Sequence, residues 1–458
     1  MRFCSTKAGE PQVSFREALL RCLPAEGGLY VPSTMVDLRH FFLYMNEGTT
    51  YPELVAAVAP ALLQGELNPF AAGRAAESAF DFEPELIRLD EQYSILSLCQ
   101  GPTGVFKDFG IAFLAACLEE LVKGEGGCVG AGAPALAPAL ALSAVRGDTG
   151  VSMARAFAGR QGLIPVMLYP EGPIRGLDPA DFVPAGGTII PIQVKGSFDD
   201  CQRLVLETLR DRDFADRYAV TSANAINIGR LLPQAFYYLY AFIKIKARVK
   251  GDIVFSVPSG NLGNLMAGLY AWKAGLPVHG FIAAMNANGR AHRLLRGASA
   301  APGEGADIEP GAEQPLVHTH SPALDVRFPS NSERLRAFCG EAPAVLRNMV
   351  FPETIDNDAT LAAMRYAWER CGELLDPHSA VAFAAARRFA ESPQYKGHVH
   401  VVSLATGHPA KEAALVESVT GERVPLPERL ACLRKTAAPI ALIEPELDAL
   451  EGAIASCF

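Results

Sequence analysis

One lysine, Lys107, stands where a turn meets an apolar helix, and its amine could do chemistry there. Pro102, Thr103 and Gly104 supply turn geometry, and residues 106–122 read as a helix that is nearly apolar on all sides and therefore buried. Desolvation disfavours an ammonium ion, so the amine could be neutral near pH 7 and attack a carbonyl to form a Schiff base. Alternatively, the side chain of Lys107 simply reaches solvent from the first helical turn. If Lys107 is considered by itself, this second interpretation is favoured.

A second candidate is the turn at 257–264, which lies directly after a predicted strand and directly before a predicted helix at 265–273. Its glycines would let backbone amides crowd an anion, and the helix start adds partial positive charge. The turn lacks the lysine of a nucleotide-triphosphate loop and the glycine spacing of a dinucleotide fold. Alternatively, it is only a tight connection between strand and helix and binds no phosphate. A phosphate cup combined with one reactive amine indicates pyridoxal 5'-phosphate (PLP), which needs both.

Composition limits the classes of partner. The chain has 458 residues, 50% of them hydrophobic, and a formal net charge of -9, so its charge attracts neither nucleic acid nor an anionic membrane. Ten cysteines occur singly, which favours a reducing cytoplasm over secretion. His318-Thr319-His320 has no carboxylate at ligand spacing, so no metal site is predicted. We expect a cytoplasmic monomer or homodimer that acts on a small molecule, with no nucleic acid and no membrane partner.

The elements that would position these residues alternate between strand and helix. Residues 1–85 predict a small leading domain with helices at 14–23 and 51–63, and from about residue 86 the pattern is typical of a parallel α/β sheet. In such sheets ligands lie at the carboxyl ends of strands. The predicted strands are 93–98, 127–130, 164–169, 188–194, 253–257, 278–284 and 398–404. Two low-complexity segments interrupt the rhythm: 131–145, apolar enough to be buried, and 298–314, expected to be a mobile surface insertion.

An ordered series of motifs resembles the threonine synthase family of the bacterial and fungal type. The chain start matches through S-T-K at 5–7, V-S-F-R-E-A-L-L at 13–20 and G-G-L-Y-V-P at 27–32, and G-P-T-G-V-F-K-D-F-G at 101–110 resembles the family's PLP-lysine motif. The later motifs, in the family's order, are R-G-D-T-G at 146–150, S-F-D-D-C-Q at 197–202, S-A-N-A-I-N-I-G-R-L-L-P-Q at 222–234, V-P-S-G-N-L-G-N at 257–264, N-A-N at 286–288, S-P-A-L-D at 321–325, P-S-N-S-E-R at 329–334, D-P-H-S-A at 376–380 and A-T-G-H-P-A-K at 405–411.

The resemblance implies an α/β fold of fold type II, the tryptophan synthase beta-like class of PLP-dependent enzymes. Two α/β domains would follow the small N-terminal domain at 1–85. The large PLP-binding domain would comprise 86–124 and 221–458, and a smaller domain at 125–220 would close over the substrate. The implied reaction converts O-phospho-L-homoserine and water into L-threonine and phosphate, by γ-elimination and then addition of water at Cβ.

The resemblance also implies roles for single residues. Lys107 would hold PLP as an imine and, once released, remove the Cα proton of the substrate. Thr406 would meet the pyridine nitrogen with its hydroxyl. The cofactor phosphate would lie on Gly260, Asn261, Leu262, Gly263 and Asn264. The residues expected to bind substrate are Thr103, Arg146, Asp148, Thr149, Ser222, Asn224, Asn227, Arg230 and Lys411.

Some members of these motifs have a structural alternative. Arg230 and Lys411 are the basic residues expected to anchor the substrate's anionic groups. Serine and asparagine near the start of a helix often only cap that helix. Capping is therefore the structural alternative to substrate binding for Ser222, Asn224 and Asn227. His378 and His408 occupy family motifs but are expected to be structural and are left outside the catalytic set.

Three departures from the family pattern lie in the pocket motifs. Gln100 stands where the family usually has histidine, Val145-Arg146 where it has Thr-Ser, and Ala225 where it has serine. Because the PLP motifs are intact, these changes favour an alternative: a threonine-synthase-like PLP lyase or replacement enzyme acting on a related phosphorylated or activated amino acid. A third reading, a non-catalytic PLP-binding homologue, is disfavoured by the intact Lys107.

Overall fold

A computed structural model of the chain describes residues 1–7, 9, 11–63, 67–123, 139–145, 147–171, 189–289, 316–326, 329–341, 348–431 and 439–457. The predicted strand at 127–130, Arg146 and the predicted insertion at 298–314 lie outside these residues. The strands are β1 Phe3–Ser5, β2 Tyr30–Pro32, β3 Glu85–Arg88, β4 Tyr93–Ser97, β5 Ala139–Ala144, β6 Leu163–Pro170, β7 Ile190–Val194, β8 Val220–Thr221, β9 Asp252–Pro258, β10 Gly280–Met285, β11 Val350–Thr354, β12 Val399–Ala405 and β13 Ala441–Ile443.

The helices connect these strands and cover both sheets. They are α1 Phe15–Arg21, α2 Phe41–Tyr44, α3 Tyr51–Leu63, α4 Pro69–Ala79, α5 Lys107–Val122, α6 Asp148–Phe157, α7 Phe198–Arg210, α8 Arg212–Arg217, α9 Ile228–Leu231, α10 Ala235–Ile245, α11 Gly263–Lys273, α12 Ser332–Glu341, α13 Asn357–Cys371, α14 Pro377–Ala390, α15 Ala413–Thr420, α16 Glu428–Ala431 and α17 Leu447–Ala455. Short 3-10 turns occupy Leu232–Gln234, Pro322–Leu324 and Pro409–Glu412.

The larger sheet has six strands in the order β11-β10-β9-β12-β4-β3. Its neighbouring strands are parallel except for the antiparallel pair β3–β4. Strands β4, β12 and β9 therefore lie side by side and end at the same edge. Because ligands of parallel sheets lie at the carboxyl ends of strands, the segments that follow these three strands meet where a ligand is expected.

The smaller sheet has five parallel strands in the order β13-β7-β6-β5-β8. Strand β5 falls in the segment 131–145, which the sequence marks only as a buried low-complexity stretch. Every residue of β5 is buried, so the polar–apolar alternation that reveals a strand is missing. Strand β13 pairs with β7, although the predicted boundaries place residues 221–458 in the large domain. The division into domains otherwise remains a prediction.

The leading part of the chain packs against α5 and has the two predicted helices, α1 and α3. Its strands β1 and β2 form a separate antiparallel pair. The ring of Tyr51, on α3, packs edge-on against Phe109 of α5 with centroids 5.4 Å apart. Helix α5 is buried on nearly all sides, which confirms the expectation from its apolar sequence.

The six predicted strands that begin at 93, 164, 188, 253, 278 and 398 are confirmed, with ends shifted by at most two residues. Among the described residues, all cysteines are free. Within the same ranges, no helix is long and apolar enough to cross a bilayer, and His, Cys, Asp and Glu side chains form no group that could hold a metal ion.

Candidate active site

The turn before Lys107 is attached to the segment that follows β12. The amide of Phe106 donates to the carbonyl of Thr406 at 3.0 Å, and the amide of His408 donates to the carbonyl of Gly104 at 2.8 Å. Lys107 is then the first residue of α5. These backbone bonds place Lys107 and Thr406 side by side, as the parallel order of β4 and β12 requires.

Two lysines share one carboxylate at this edge. Asp148, the first residue of α6, lies 3.7 Å from Nζ of Lys107 and 2.7 Å from Nζ of Lys411. The side chains are 20%, 24% and 26% exposed for Lys107, Asp148 and Lys411, so all three are partly shielded from water. A carboxylate this close favours the charged form of a lysine amine, whereas burial favours the neutral form. The two effects therefore oppose each other here.

The pKa values in this group follow from the pairing. Burial acts to raise the pKa of Asp148, but Lys411 and Lys107 together hold it below its usual value. Burial acts to lower the pKa of Lys411, and its ion pair and hydrogen bond with Asp148 outweigh this and raise it. Lys411 therefore stays positively charged and Asp148 negatively charged at neutral pH. Asp148 begins a helix after the smaller sheet, so these contacts join the two sheets.

A buried carboxylate that the sequence did not single out holds the lysine turn. Asp108 accepts hydrogen bonds from the amide and hydroxyl of Thr103, at 2.9 and 2.7 Å, and from the hydroxyl of Ser152 at 2.6 Å. Burial raises the pKa of Asp108, although these bonds act to lower it. The hydroxyl of Thr103, predicted to bind substrate, is thus directed to Asp108 and Ser152. An acidic residue in an otherwise apolar buried helix was the available signal, since it must find partners.

The turn at 257–264 has the strained backbone of a close binding turn. Leu262 adopts a left-handed conformation with φ of 60° immediately before α11, which few non-glycine residues do. A Cβ atom on Gly260 would lie 2.9 Å from the carbonyl oxygen of Ala323 and 3.2 Å from Cα of Leu324. Only glycine therefore fits at position 260.

The side chain of Asn264 leaves a donor unused in this turn. The hydroxyls of Tyr237 and Tyr238 both donate to its Oδ1 at 2.6 Å, which fixes the orientation of the amide. Its Nδ2 is buried and has no hydrogen-bond partner among the described residues. Since buried donors are normally satisfied, this nitrogen fits an anion bound at the start of α11.

Thr406 is supported by a second buried carboxylate. Its amide donates to the hydroxyl of Ser379 at 3.0 Å, and that hydroxyl in turn donates to Asp376. A Cβ on Gly407 would lie 2.8 Å from Oδ2 of Asp376, so the chain can follow this path only with glycine. The sequence showed Asp376 and Ser379 inside a family motif but gave no reason to assign them a contact.

The two histidines of the family motifs are engaged in the structure. Nδ1 of His378 lies 2.6 Å from Oδ2 of Asp376, and its Nε2 accepts from the amide of Ala323 at 3.0 Å. Burial lowers the pKa of His408 to about 4, and its Nδ1 accepts from the amide of Ala410 at 3.1 Å. Both rings therefore have structural partners, as the sequence predicted.

Among the residues predicted to bind substrate, two asparagines hold the backbone. Asn224 receives the amide of Ala144 at 3.0 Å and donates to its carbonyl at 2.8 Å, so it fixes the end of β5. The hydroxyl of Ser222 accepts from the amide of Asn224 at 3.1 Å. Asn227 caps α9 and donates to the carbonyls of Ser222 and, at 3.0 Å, Leu19. These contacts favour the structural alternative for Asn224 and Asn227.

Arg230 differs, because its guanidinium is buried but incompletely paired. The residue is 6% exposed, and its Nη1 donates to the carbonyl of Ala223 at 2.7 Å. Its Nε has no partner in the part of the chain that the structure describes. Burial lowers its pKa to about 10, which leaves it charged at neutral pH. A buried cation with a spare donor is suited to an anionic group of a substrate.

Of the departures from the family pattern, Gln100 and Ala225 lie among the described residues, whereas Arg146 does not. Gln100 donates to Glu85 at 3.1 Å and to Ser97 at 3.0 Å, neither of which is a predicted site residue. Ala225 contributes its carbonyl to Arg334 at 3.0 Å. Thr149 follows Asp148 in the first turn of α6. The Oε1 of Gln100 is buried and has no partner among the described residues, so an effect of this departure on the substrate stays a prediction.

Family models match nearly the whole chain. The model described as "Pyridoxal-phosphate dependent enzyme" matches residues 96–407. The model "Threonine synthase N terminus" matches residues 2–71, and "Threonine synthase, C-terminal" matches 379–454. The last match ends beyond β13, so the family pattern includes the strand that returns to the smaller sheet.

Individual relatives agree with these models. A threonine synthase from Serratia marcescens is 34% identical over 436 residues, which cover 94% of each chain. The crystal structure of threonine synthase from Escherichia coli has a TM-score of 0.83 at 30% identity and covers 100% of both chains. A PLP-bound threonine synthase from Brucella melitensis also has a TM-score of 0.83, at 28% identity, covering 100% of this chain and 99% of that one.

Proposed function

The chain belongs to the threonine synthase family of pyridoxal-phosphate-dependent enzymes, and we propose that it converts O-phospho-L-homoserine and water into L-threonine and phosphate. One observation carries the proposal: Lys107 and Lys411 share Asp148 at the edge where β4, β12 and β9 end. Cytoplasmic location and a monomer or homodimer remain our expectations from the sequence.

The residues at this edge fit PLP. The turn from Gly260 to Asn264 would hold its phosphate, because the unpaired Nδ2 of Asn264 and the start of α11 both suit an anion. The hydroxyl of Thr406 would meet the pyridine nitrogen, and the amine of Lys107 would carry the cofactor. When bound, PLP supplies an electron sink for negative charge that develops on the substrate.

Lys107 would move the proton at the substrate's Cα. Its backbone stands at the start of a buried helix, and the contact with Asp148 restricts where its Nζ can lie, which suits proton transfer. Asp148 lies 3.7 Å away and can orient the ammonium form that results when Nζ takes the proton. Asp108 would act indirectly, by fixing the turn from which Lys107 extends.

Two cations are suited to the anionic ends of the substrate. Lys411 keeps its charge because Asp148 raises its pKa, and Arg230 keeps its charge while retaining a buried spare donor. A phosphate and a carboxylate would each need such a partner. Closure of the predicted domain at 125–220 would bring α6 and Asp148 over the substrate and exclude water until it is needed.

The test is a product balance with O-phospho-L-homoserine on the PLP-loaded protein. Threonine and inorganic phosphate are expected in equal amounts. A Lys107→Ala variant is the negative control and should form neither product. Phosphate with 2-oxobutyrate and ammonia would instead show a lyase on the same substrate. Absence of phosphate release would contradict the proposed substrate.

A further inference from the structure

A fully buried arginine lies behind the candidate site. Arg334, on α12, is 0% exposed. Its Nε donates to the carbonyl of Tyr30 at 3.0 Å, and its other nitrogens donate to the carbonyls of Ala225 at 3.0 Å and Ile226 at 2.5 Å. These acceptors are uncharged, and burial lowers the pKa of Arg334. The neighbouring Glu333 acts to raise this pKa, but every oxygen that the guanidinium bonds to is neutral, so a bound anion would further favour its buried charge.

Arg334 is connected to the proposed phosphate turn through one side chain. Its Nη1 donates to Oδ1 of Asn331 at 2.6 Å, and Nδ2 of Asn331 donates to the carbonyl of Asn261 at 3.1 Å. A Cβ on Gly263 would lie 3.3 Å from the same Nδ2. Asn331 is itself 0% exposed, so it has little freedom to move. The guanidinium thus fixes the amide that bonds to Asn261 and that a side chain at Gly263 would crowd.

Arg334 also fixes the substrate side. The carbonyls of Ala225 and Ile226 belong to the segment 222–227, between Asn224, which holds β5, and Asn227, which caps α9. One side chain therefore contacts both the backbone before Arg230 and the support of the phosphate turn. Because the guanidinium is planar with donors in a fixed fork, it sets the relative position of the groups it binds.

We propose that Arg334 is a positioning residue that couples the cofactor-phosphate turn to the substrate-side segment 222–227 and favours a bound phosphate dianion through its buried charge. The proposal rests on the proposed function, since it assumes that PLP occupies the turn. A buried charge acts over a longer distance than an exposed one, and it polarises the hydrogen bonds that lead from it. Arg334 would therefore favour the phosphate without touching it.

The test compares PLP with pyridoxal, which lacks the phosphate. In Arg334→Met, PLP affinity is expected to fall by about tenfold or more, while pyridoxal affinity changes by less than about twofold. Arg334→Lys keeps the charge but loses the forked donors of the guanidinium, so its PLP affinity should lie between those of the wild type and Arg334→Met. Arg336→Met is the matched control, because Arg336 is exposed on the same helix, and should bind both ligands as the wild type does. Dissociation constants are read by absorbance titration.

A second variant, Asn331→Ala, distinguishes loss of the contact with the phosphate turn from general loss of stability. It also serves as the test if Arg334→Met does not fold. Asn331→Ala removes the contact with the phosphate turn but leaves the three backbone contacts of Arg334. Asn331→Ala should lower the affinity for PLP more than the affinity for pyridoxal. At saturating PLP its KM for the substrate should stay within about twofold of the wild type, whereas Arg334→Met or Arg334→Lys should raise KM. Equal losses for PLP and pyridoxal, or a lower melting temperature with unchanged PLP affinity, would overturn the proposal. Wild-type protein that binds no PLP would overturn the proposed function instead.

Discussion

The proposed cofactor side and the proposed substrate side of the site are held by different forces. On the cofactor side, buried groups fix the phosphate turn: the two tyrosine hydroxyls on Asn264, the backbone that faces Gly260 and, through Asn331, the guanidinium of Arg334. On the substrate side, partly exposed charges reach from one sheet to the other through Asp148. Salt and pH weaken such ion pairs more than they weaken neutral buried bonds. Cofactor affinity and substrate turnover should therefore be separable by mutation.

The largest effect is expected where the two sides meet. Lys107→Ala should lower turnover by about a thousandfold or more, because it removes the amine that carries the cofactor and moves the proton. Lys123→Ala is the control, since Lys123 follows the far end of α5 and pairs with Glu119 on the surface. Release of phosphate from O-phospho-L-homoserine measures the effect. Turnover within tenfold of the wild type would rule out both roles of Lys107.

A change confined to the cofactor side should reduce PLP binding. In Gly260→Ala the new Cβ would meet backbone atoms at 2.9 and 3.2 Å, which cannot move as a flexible side chain could. Overpacking of this kind should weaken PLP by about tenfold to a hundredfold in absorbance titrations. Gly340→Ala, where a Cβ meets no atom within 4 Å, should bind PLP normally. Unchanged affinity in Gly260→Ala would show that PLP does not use this turn.

A change at Asp148, which pairs with both lysines, should cost turnover much more than PLP binding. Asp148→Asn removes the charge that holds Lys107 and Lys411, and misplacement of these groups can cost up to about a hundredfold in kcat. PLP affinity should stay within about twofold of the wild type, as it should in Asp199→Asn, an exposed control. If Asp148→Asn loses as much PLP affinity as Gly260→Ala, the two sides are not separate.

The connection between α5 and α6 should show mainly in stability. Ser152→Ala removes a hydroxyl that donates to the buried carboxylate of Asp108 at 2.6 Å. Hydrogen bonds to charged groups contribute about 1.5–3 kcal/mol, so the free energy of unfolding measured in urea should fall by that amount. Ser418→Ala, an exposed serine, provides the comparison. A Ser152→Ala protein as stable as the wild type would mean that this bond contributes nothing to the fold.

The smallest effect concerns pH on the cofactor side. Burial lowers the pKa of His408 from 6.5 to about 4. Between these values the unfolded chain binds a proton at this residue and the folded chain does not, so the stabilisation is present above 6.5 and is lost as pH falls towards 4. His408→Gln should therefore lose less stability than the wild type between pH 7 and 4 in urea titrations. Identical slopes would show that His408 is not held neutral.

The local parts of this site could be predicted from the sequence, whereas its supports could not. Lys107 and the turn at 257–264 stand out because turn residues, glycines and helix starts are adjacent along the chain. Asp108 and Arg334 were missed because each has a partner that becomes a neighbour only in the fold, Ser152 and Tyr30 respectively. Asp376 bonds to the nearby Ser379, but Ser379 reaches Thr406 only in the fold. Arg334, for example, bonds to Tyr30, some 300 residues away.

The same reasoning applies to the sheets. Six strands of the two larger sheets were predicted within two residues of their ends, whereas others, such as β11, were not predicted. Strand β5 was missed because it consists of buried small residues without alternation, and β13 because three residues at a sheet edge leave almost no pattern. The pairing of β13 with β7 depends on the path of the chain through space, which local sequence does not encode.

The account depends most directly on which of two neighbouring lysines carries the cofactor. Lys107 and Lys411 both face Asp148, and either amine could in principle react with PLP. We would reduce the PLP-loaded protein with borohydride, digest it, and locate the modified lysine by mass spectrometry. The account predicts the pyridoxyl group on Lys107. Modification of Lys411 in its place, or of neither lysine, would contradict the assignment of Lys107 as the centre of the site.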